Sequence, residues 1–425
     1  MKKMGIRITI IFFLFCMIVV AEQSKGKSYK DSFETESKLP EIGGKDDKEI
    51  RVLLKTQGYQ NIAHASVKIT AKDGYVIEWD KGRTECSGEN VTIIRPDDKR
   101  FQNGTIQVRP EGKTLTILSY KRGCGYPEYE GILELYATAE GIVIVNQLPI
   151  ENYLCRVVPS EMPASYHLEA LKAQAVCARS YAYNQTKKYA YPEYQAHVDD
   201  STSYQVYGNS SPKESTIKAV VETKGQTLRY GEQVITAYYY STSCGKTTDV
   251  QAWGSKVNAK NNYLQEVEIC DEKGVPYEQR LPWYRWELSV STDALRQQLE
   301  LYAGVRIGEI QSIEIKKRGA GDVALQLYVK GKQNELCIET ENKIRRALAV
   351  EGCKIQKQDG SVTTVRQLLP SAFITIEKKG TSYIVRGGGY GHGIGMSQNG
   401  ANEMAKRGKN YIEILQLFYV GAKIL

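Results

Sequence analysis

Between Glu49 and Val145 the chain alternates apolar and polar residues in short runs, among them Ile50-Arg51-Val52-Leu53-Leu54, Tyr75-Val76-Ile77-Glu78-Trp79, Thr114-Leu115-Thr116-Ile117-Leu118 and Ile132-Leu133-Glu134-Leu135-Tyr136. Gly, Asp, Asn or Pro fills most of the gaps. A period of two, broken by turn residues, predicts antiparallel strands with one inward face. The period changes after Ser165. From about Leu168 to Lys188 there is neither Pro nor Gly, and Leu168, Leu171, Ala175, Ala178 and Ala182 recur at helical spacing as a narrow stripe of small residues suited to close packing on a sheet. Lys172, Val176, Arg179 and Tyr183 form a second stripe. Two turns, about 10 Å of rise, separate its two cations, so both are expected to face one extended ligand or, with nothing bound, solvent.

Strands resume at Gln233 to Tyr240. Farther on, Thr292 to Ala303 and Glu341 to Val350 read as helices, and Ser312 to Lys317 and Val323 to Val329 as strands. Ile374-Thr375-Ile376 and Tyr383-Ile384-Val385 return to strand. Ser397 is placed to cap a short helix ending near Gly408, and a last helix is expected from Tyr411 to Tyr419 with Ile412, Leu415 and Phe418 inward. The expected fold class is α+β: a strand-rich N-terminal region over 49–136, a mixed core from 137–290 and 371–425, and a small protruding α/β subdomain inserted at 291–370.

The first residues add a location. Met1-Lys2-Lys3 and Arg7 precede fourteen residues without charge, Ile8 to Ala21. That length suits a signal peptide better than the roughly 20 residues of a full membrane span, though flanking cations let such a segment stay as an anchor. Residues 1–21 are therefore read as signal peptide or membrane anchor, and the polar stretch 22–48 as a linker. An extracytoplasmic place follows, membrane-anchored or secreted.

There, a net charge of +8 suits a carboxylate-bearing polymer as well as it suits a plain solvated surface. The 29 tyrosines against 7 phenylalanines supply rings that stack on sugars, or ordinary amphipathic strand packing. Of nine cysteines, Cys86 with Cys124 and Cys337 with Cys353 are the candidate disulfide pairs, while Cys155, Cys177 and Cys244 sit among small apolar residues as buried thiols do. With no C-x-x-C and no Cys/His cluster, no zinc site and no cofactor are expected.

Three segments carry candidate chemistry. In Glu151-Asn152-Tyr153-Leu154-Cys155-Arg156-Val157-Val158-Pro159-Ser160-Glu161-Met162-Pro163, two prolines bracket Glu161, which reads as a carboxylate on a stiff loop among apolar side chains in front of a helix bearing Lys172 and Arg179. Apolar surroundings raise a carboxyl pKa and cations lower it, a combination suited to giving and recovering a proton; a surface glutamate in a turn is the plain alternative. In Arg386-Gly387-Gly388-Gly389-Tyr390-Gly391-His392-Gly393-Ile394-Gly395-Met396-Ser397-Gln398, six glycines surround His392. That density is tolerated where backbone takes positive φ or approaches a ligand, and His392 reads either as a ligand contact or as a hydrogen-bonding strut. The strand, loop and helix order of a nucleotide-binding unit is missing, so no nucleotide site is expected, nor is nucleic acid a partner. Last, Tyr238-Tyr239-Tyr240-Ser241-Thr242-Ser243 is a tyrosine-rich strand ending in hydroxyls, able to hold a sugar or simply to turn.

Together these segments resemble the stage II sporulation protein D family and the related LytB-type amidase-enhancer domains. The resemblance rests on Tyr153-Leu154-x-Arg156-Val157-Val158-Pro159-Ser160-Glu161-Met162-Pro163, on Glu169-Ala170-Leu171-Lys172-Ala173-Gln174-Ala175-Val176 and on Gly389 to Gln398, and it spans roughly 137–425. It implies a peptidoglycan lytic transglycosylase in sporulation engulfment or wall remodelling, with Glu161 as acid/base leaving 1,6-anhydro-muramic ends. Lys172, Arg179, Tyr181 and Tyr240 fall at family positions near the cleft, and Ser241, Thr242, His392 and Gln398 complete the expected substrate contacts. The implied partners are glycan strands, a cell-wall amidase and other engulfment proteins. A glycan-binding enhancer of an amidase, or a scaffold in an engulfment complex, is the competing reading. Some relatives hold zinc through a His and a Cys where this chain has Ser203 and Tyr204, a departure that fits a metal-free site.

Overall fold

The structure, a computed structural model, describes Ile42 and residues 47 to 425. The expected export segment, and the expected linker apart from Ile42, Asp47 and Lys48, lie outside the described residues. Among the described residues the fold is α+β, with seven α-helices and strands grouped in six sheets. Contacts divide the chain into two compact units: the residues up to Pro163 with Gln185–Ile217, and Ala164–Asn184 with Lys218–Leu425.

The first unit is built on an eight-stranded sheet, in which Gly141–Pro149 lies between Glu49–Leu54 and Ile132–Thr138, antiparallel to both. That strand is covered on both faces, so its sequence is a continuous apolar run, Ile142-Val143-Ile144-Val145, rather than an alternation. Val198–Asp199 pairs in parallel with Glu49–Leu54 at the sheet's end. The central strand runs directly into helix α1 (Ile150–Glu161), which packs back on it.

The sequence reads this segment as a stiff loop; the structure makes it a helix with Pro159 inside. An internal proline costs a helix about 3 kcal/mol. Nine of the twelve residues of α1 are buried, and burying Tyr153, Leu154, Val157 and Val158 at roughly 1.5–3 kcal/mol each outweighs that cost. The second proline does end the helix. Met162, ahead of Pro163, is held extended at φ −133° and ψ 135°, which leaves Glu161 as the last helical residue.

In the second unit, helix α2 (Leu168–Gln185) buries Ala170, Ala173, Ala175, Ala178 and Ala182 along with Leu171 and Val176. Helix α3 (Glu214–Glu222) runs from the end of the first unit into the second. Helix α4 spans Thr292–Ala303, the range expected from the sequence; Ser291 Oγ accepts the Ala294 amide at its start and Gly304, at φ 69°, ends it. With α5 (Glu341–Ala347) it closes a core containing Trp286, Leu295, Leu299, Leu327, Ile344 and Val385. Strands Ile374–Lys379 and Ser382–Gly387 complete the five-stranded sheet around Trp286–Ser291.

At the C-terminus, α6 (Gln398–Lys406) is capped by Ser397 and α7 (Tyr411–Phe418) by an Asn410/Glu413 capping box. Ile412 proves exposed; Ile414 takes the inner place beside Leu415 and Phe418. The eight cysteines among the described residues are all free thiols, so neither candidate disulfide forms, and Cys155 and Cys177 are buried.

Candidate functional site

In the first unit, half-buried Glu161 accepts the Val206 amide on Oε1 at 2.6 Å, a charge-assisted hydrogen bond. The loop that supplies this amide is moored at several residues in a row. Tyr153 donates from its hydroxyl to Gln205 Oε1 at 3.2 Å, and Tyr207 donates to Asn146 Oδ1 at 2.7 Å while its ring lies against those of Tyr153 and Tyr129. The Ser210 amide donates to Ser160 Oγ at 3.1 Å. Asn146 is fully buried on the central strand and spends its amide on the carbonyls of Glu130 and Ile132. The carboxylate thus takes its position from the core strand through α1 on one side and through the loop on the other. Val206 carries no sequence signal, because a backbone amide looks the same in every residue.

In the second unit the residues expected to contact substrate fall into two groups. On α2, Lys172 lies between Glu169 and Glu222, at 2.8 and 2.7 Å. Arg179 is fully buried and caps the end of α3, donating to the carbonyls of Val220 and Gln226 and to Thr223 Oγ1. Neither cation stands on an open stripe as the helical period suggests. Both stripes turn inward at Ala175, Ala178, Val176 and Arg179, which spacing alone does not say. Tyr181 is half-buried, its ring edge-on to Tyr238.

The other group gathers where Tyr239–Tyr240 runs parallel to Met396–Ser397. Tyr240 is buried, with its hydroxyl lacking a hydrogen-bond partner. Thr242 is buried and pairs with Tyr390 through both backbone groups. Thr242 Oγ1 accepts from Asn399 Nδ2 at 2.9 Å, and the Ser241 carbonyl accepts the Asn399 amide. Gln398 reaches Gln174 at 3.4 Å. His392, between the rings of Tyr240 and Trp253, donates from Nε2 to the Tyr239 carbonyl and accepts the Ile394 amide on Nδ1. Burial, and then Arg345, push its pKa down to about 4, so the ring is neutral with both nitrogens spent on backbone. That is the strut. The glycines explain themselves at the same place: Gly389, Gly391, Gly393 and Gly395 have positive φ, alternating with Tyr390, His392 and Ile394.

One side chain that sequence reading passed over holds this cluster together. Glu278 is fully buried; its carboxyl accepts the amide and hydroxyl of Ser243 and the hydroxyl of Ser397. It joins the hydroxyl-ended strand to the start of α6. Burial outweighs these hydrogen bonds and lifts its pKa to about 7. A carboxyl whose pKa is raised on folding stabilises the fold fully below its unfolded value, and that contribution is lost as pH rises through the folded value. Between about pH 4.5 and 7 the loss amounts to about 3 kcal/mol. Thermal unfolding across this range is expected to show wild type losing stability relative to Glu278→Gln; parallel pH profiles would contradict the assignment. No group of three or more His, Cys, Asp or Glu side chains among the described residues is arranged to hold a metal ion.

A family model described as stage II sporulation protein matches residues 138–230, which carry Glu161, α2 and the Val206 loop. The stage II sporulation protein D of Bacillus subtilis is 30% identical over 308 residues, covering 69% of this chain and 78% of its own. The chain belongs to the stage II sporulation protein D family. An uncharacterized protein of Brachyspira hyodysenteriae is 33% identical over 332 residues, covering 76% of this chain and 77% of its own. The amidase enhancer of Bacillus subtilis is 32% identical over 298 residues, 63% of this chain; only 39% of that relative's length is spanned. A second model, for a domain of unknown function, matches residues 246–395. In this member of the sporulation family, therefore, Glu161 lies under the first model, whereas Glu278 and the glycine-rich turn through Gly395 lie under the second.

Proposed function

We propose that this chain cuts the glycan strands of peptidoglycan outside the cytoplasm as a lytic transglycosylase, with Glu161 as the single acid/base. The observation that carries the reading is Glu161 itself: the last residue of a buried helix, one oxygen fixed by the Val206 amide, within the segment matched by the sporulation family model. The protonated carboxyl gives its proton to the glycosidic oxygen as the bond from that oxygen to C1 of the muramyl residue breaks. The C6 hydroxyl of the same residue then bonds to C1, and its proton returns to Glu161. Atoms balance without water and the enzyme is regenerated. Hydrolysis with two carboxylates would need a second free acid. Asp199 and Asp200, in the strand and loop leading to Val206, are both buried and spent on Ser201 and Tyr191 and on Arg122, which supports the one-carboxylate route. The proposed step asks chemistry of Glu161 alone; Lys172, Arg179, Tyr181, Tyr240, Ser241, Thr242, His392 and Gln398, the substrate contacts expected from the resemblance, are assigned no part in it.

The name of the amidase-enhancer relative favours one other reading, a glycan-binding protein that raises the rate of a partner cell-wall amidase. Incubating the full chain with peptide-free glycan strands separates the two. The transglycosylase releases soluble fragments unaided; an enhancer binds the strands intact and acts only when an amidase and peptide-bearing wall are supplied. Among the described residues no helix is long and apolar enough to cross a membrane.

A further inference from the structure

We infer that the buried ion pair Arg122–Asp200 is a positioning device for Glu161, acting through the Val206 amide; this rests on the reading of Glu161 as acid/base. Arg122 Nη2 and Asp200 Oδ2 are 2.7 Å apart, and both side chains are wholly inaccessible. The guanidinium is clamped between the rings of Tyr59 and Tyr120, each 4.3 Å away, and it donates to the carbonyls of Lys55 and Thr56. Asp200 Oδ1 accepts the Lys55 amide at 3.0 Å. The aspartate's backbone is fixed too, its amide donating to the Leu53 carbonyl and its own carbonyl accepting the Tyr207 amide at 3.2 Å. Residues 200 to 207 therefore form a loop closed at its base on Asp200, and Val206, the donor to Glu161, is the residue just before the closure.

Two features say that this arrangement serves geometry more than stability. A buried ion pair gains little over well-packed apolar side chains of the same volume, so stability alone is a weak reason for one here. The site also leaves two buried polar atoms without a hydrogen bond, Arg122 Nε and the Tyr59 hydroxyl, and holds Tyr59 at φ 59°. A chain selected only to fill this space has no need of either. By sequence, Asp199-Asp200 is noticeable as a pair of acids, but Arg122 lies 78 residues from its partner and carries no signal.

The test is Asp200→Asn in the full chain, read by steady-state cleavage of peptide-free strands and by hydrogen exchange at the Val206 amide. The expected result is a kcat roughly ten- to a hundred-fold lower with KM within about two-fold, since displacing a reacting group by about an ångström costs rate rather than binding, together with at least about ten-fold faster exchange at Val206. Leu295→Ala, buried in the core that α4 and α5 close, should lower Tm while leaving both readings unchanged. If Asp200→Asn does not fold, the double variant Arg122→Met with Asp200→Leu replaces the pair by apolar volume; wild-type Tm with impaired kcat and faster Val206 exchange is expected. Wild-type kcat and Val206 exchange in either variant overturns the inference. Should the wild-type chain fail to cut strands at all, the proposed function falls, and Val206 exchange alone decides whether the ion pair positions the loop.

Discussion

Glu161→Gln is expected to lower glycan-strand cleavage by about a hundred- to ten-thousand-fold, the usual contribution of a positioned acid or base. Glutamine matches the shape of glutamate, and its carbonyl oxygen can still accept the Val206 amide. What it lacks is a proton to give and a charge with which to recover one. Stability should change by less than about 0.5 kcal/mol, because the residue is half-buried and the hydrogen bond is retained. Strand binding should persist. Rates from product analysis, with Tm and strand co-sedimentation measured on the same preparations, check the three parts separately. Equal loss of binding and cleavage would mean that Glu161 holds substrate without acting on it. Glu161→Asp withdraws the carboxyl by about one carbon–carbon bond and should fall between wild type and the glutamine variant.

The largest effect on stability is expected from Gly395→Ala. Gly395 has φ +75°, and a Cβ there would stand 2.1 Å from the Tyr238 carbonyl oxygen. A left-handed conformation costs a non-glycine residue roughly 1–2 kcal/mol before any clash. The clash is not easily relieved, because that oxygen accepts the Met396 amide and the Tyr419 hydroxyl; disturbing both adds about 1 kcal/mol each. A total of about 3–4 kcal/mol corresponds to a Tm lower by about 10 °C for a unit of this size. Gly408→Ala is the control, since Gly408 has φ +89° with nothing within 4 Å of its would-be Cβ, so only the conformational part remains. Equal losses in the two variants would remove the steric part of the argument.

How much could be read in advance depends on how local each determinant is. Helix α4 was legible to the residue because its cap, Ser291, and its terminator, Gly304, adjoin it. Helix α1 was not, because Pro159 argues for a loop until the burial of its apolar neighbours is known. Arg179 looks like a solvent-facing cation until the end of α3 is seen to need its guanidinium. His392 reads from the sequence as a ligand contact or a strut, and only the fold shows that both its ring nitrogens are bonded to backbone. Glu161 is named by its own segment, whereas its support comes from an amide 45 residues away and an ion pair spanning 78. Contacts made through backbone, or between residues far apart in the chain, leave no pattern in a single sequence.

The central claim is that bond cleavage is completed by the substrate's own C6 hydroxyl rather than by water, and mass spectrometry of strands cut in heavy-oxygen water tests it most directly. Intramolecular closure assisted by Glu161 gives new ends one water lighter than reducing sugars and free of heavy oxygen. Reducing ends carrying the heavy oxygen would contradict it and make the chain a hydrolase.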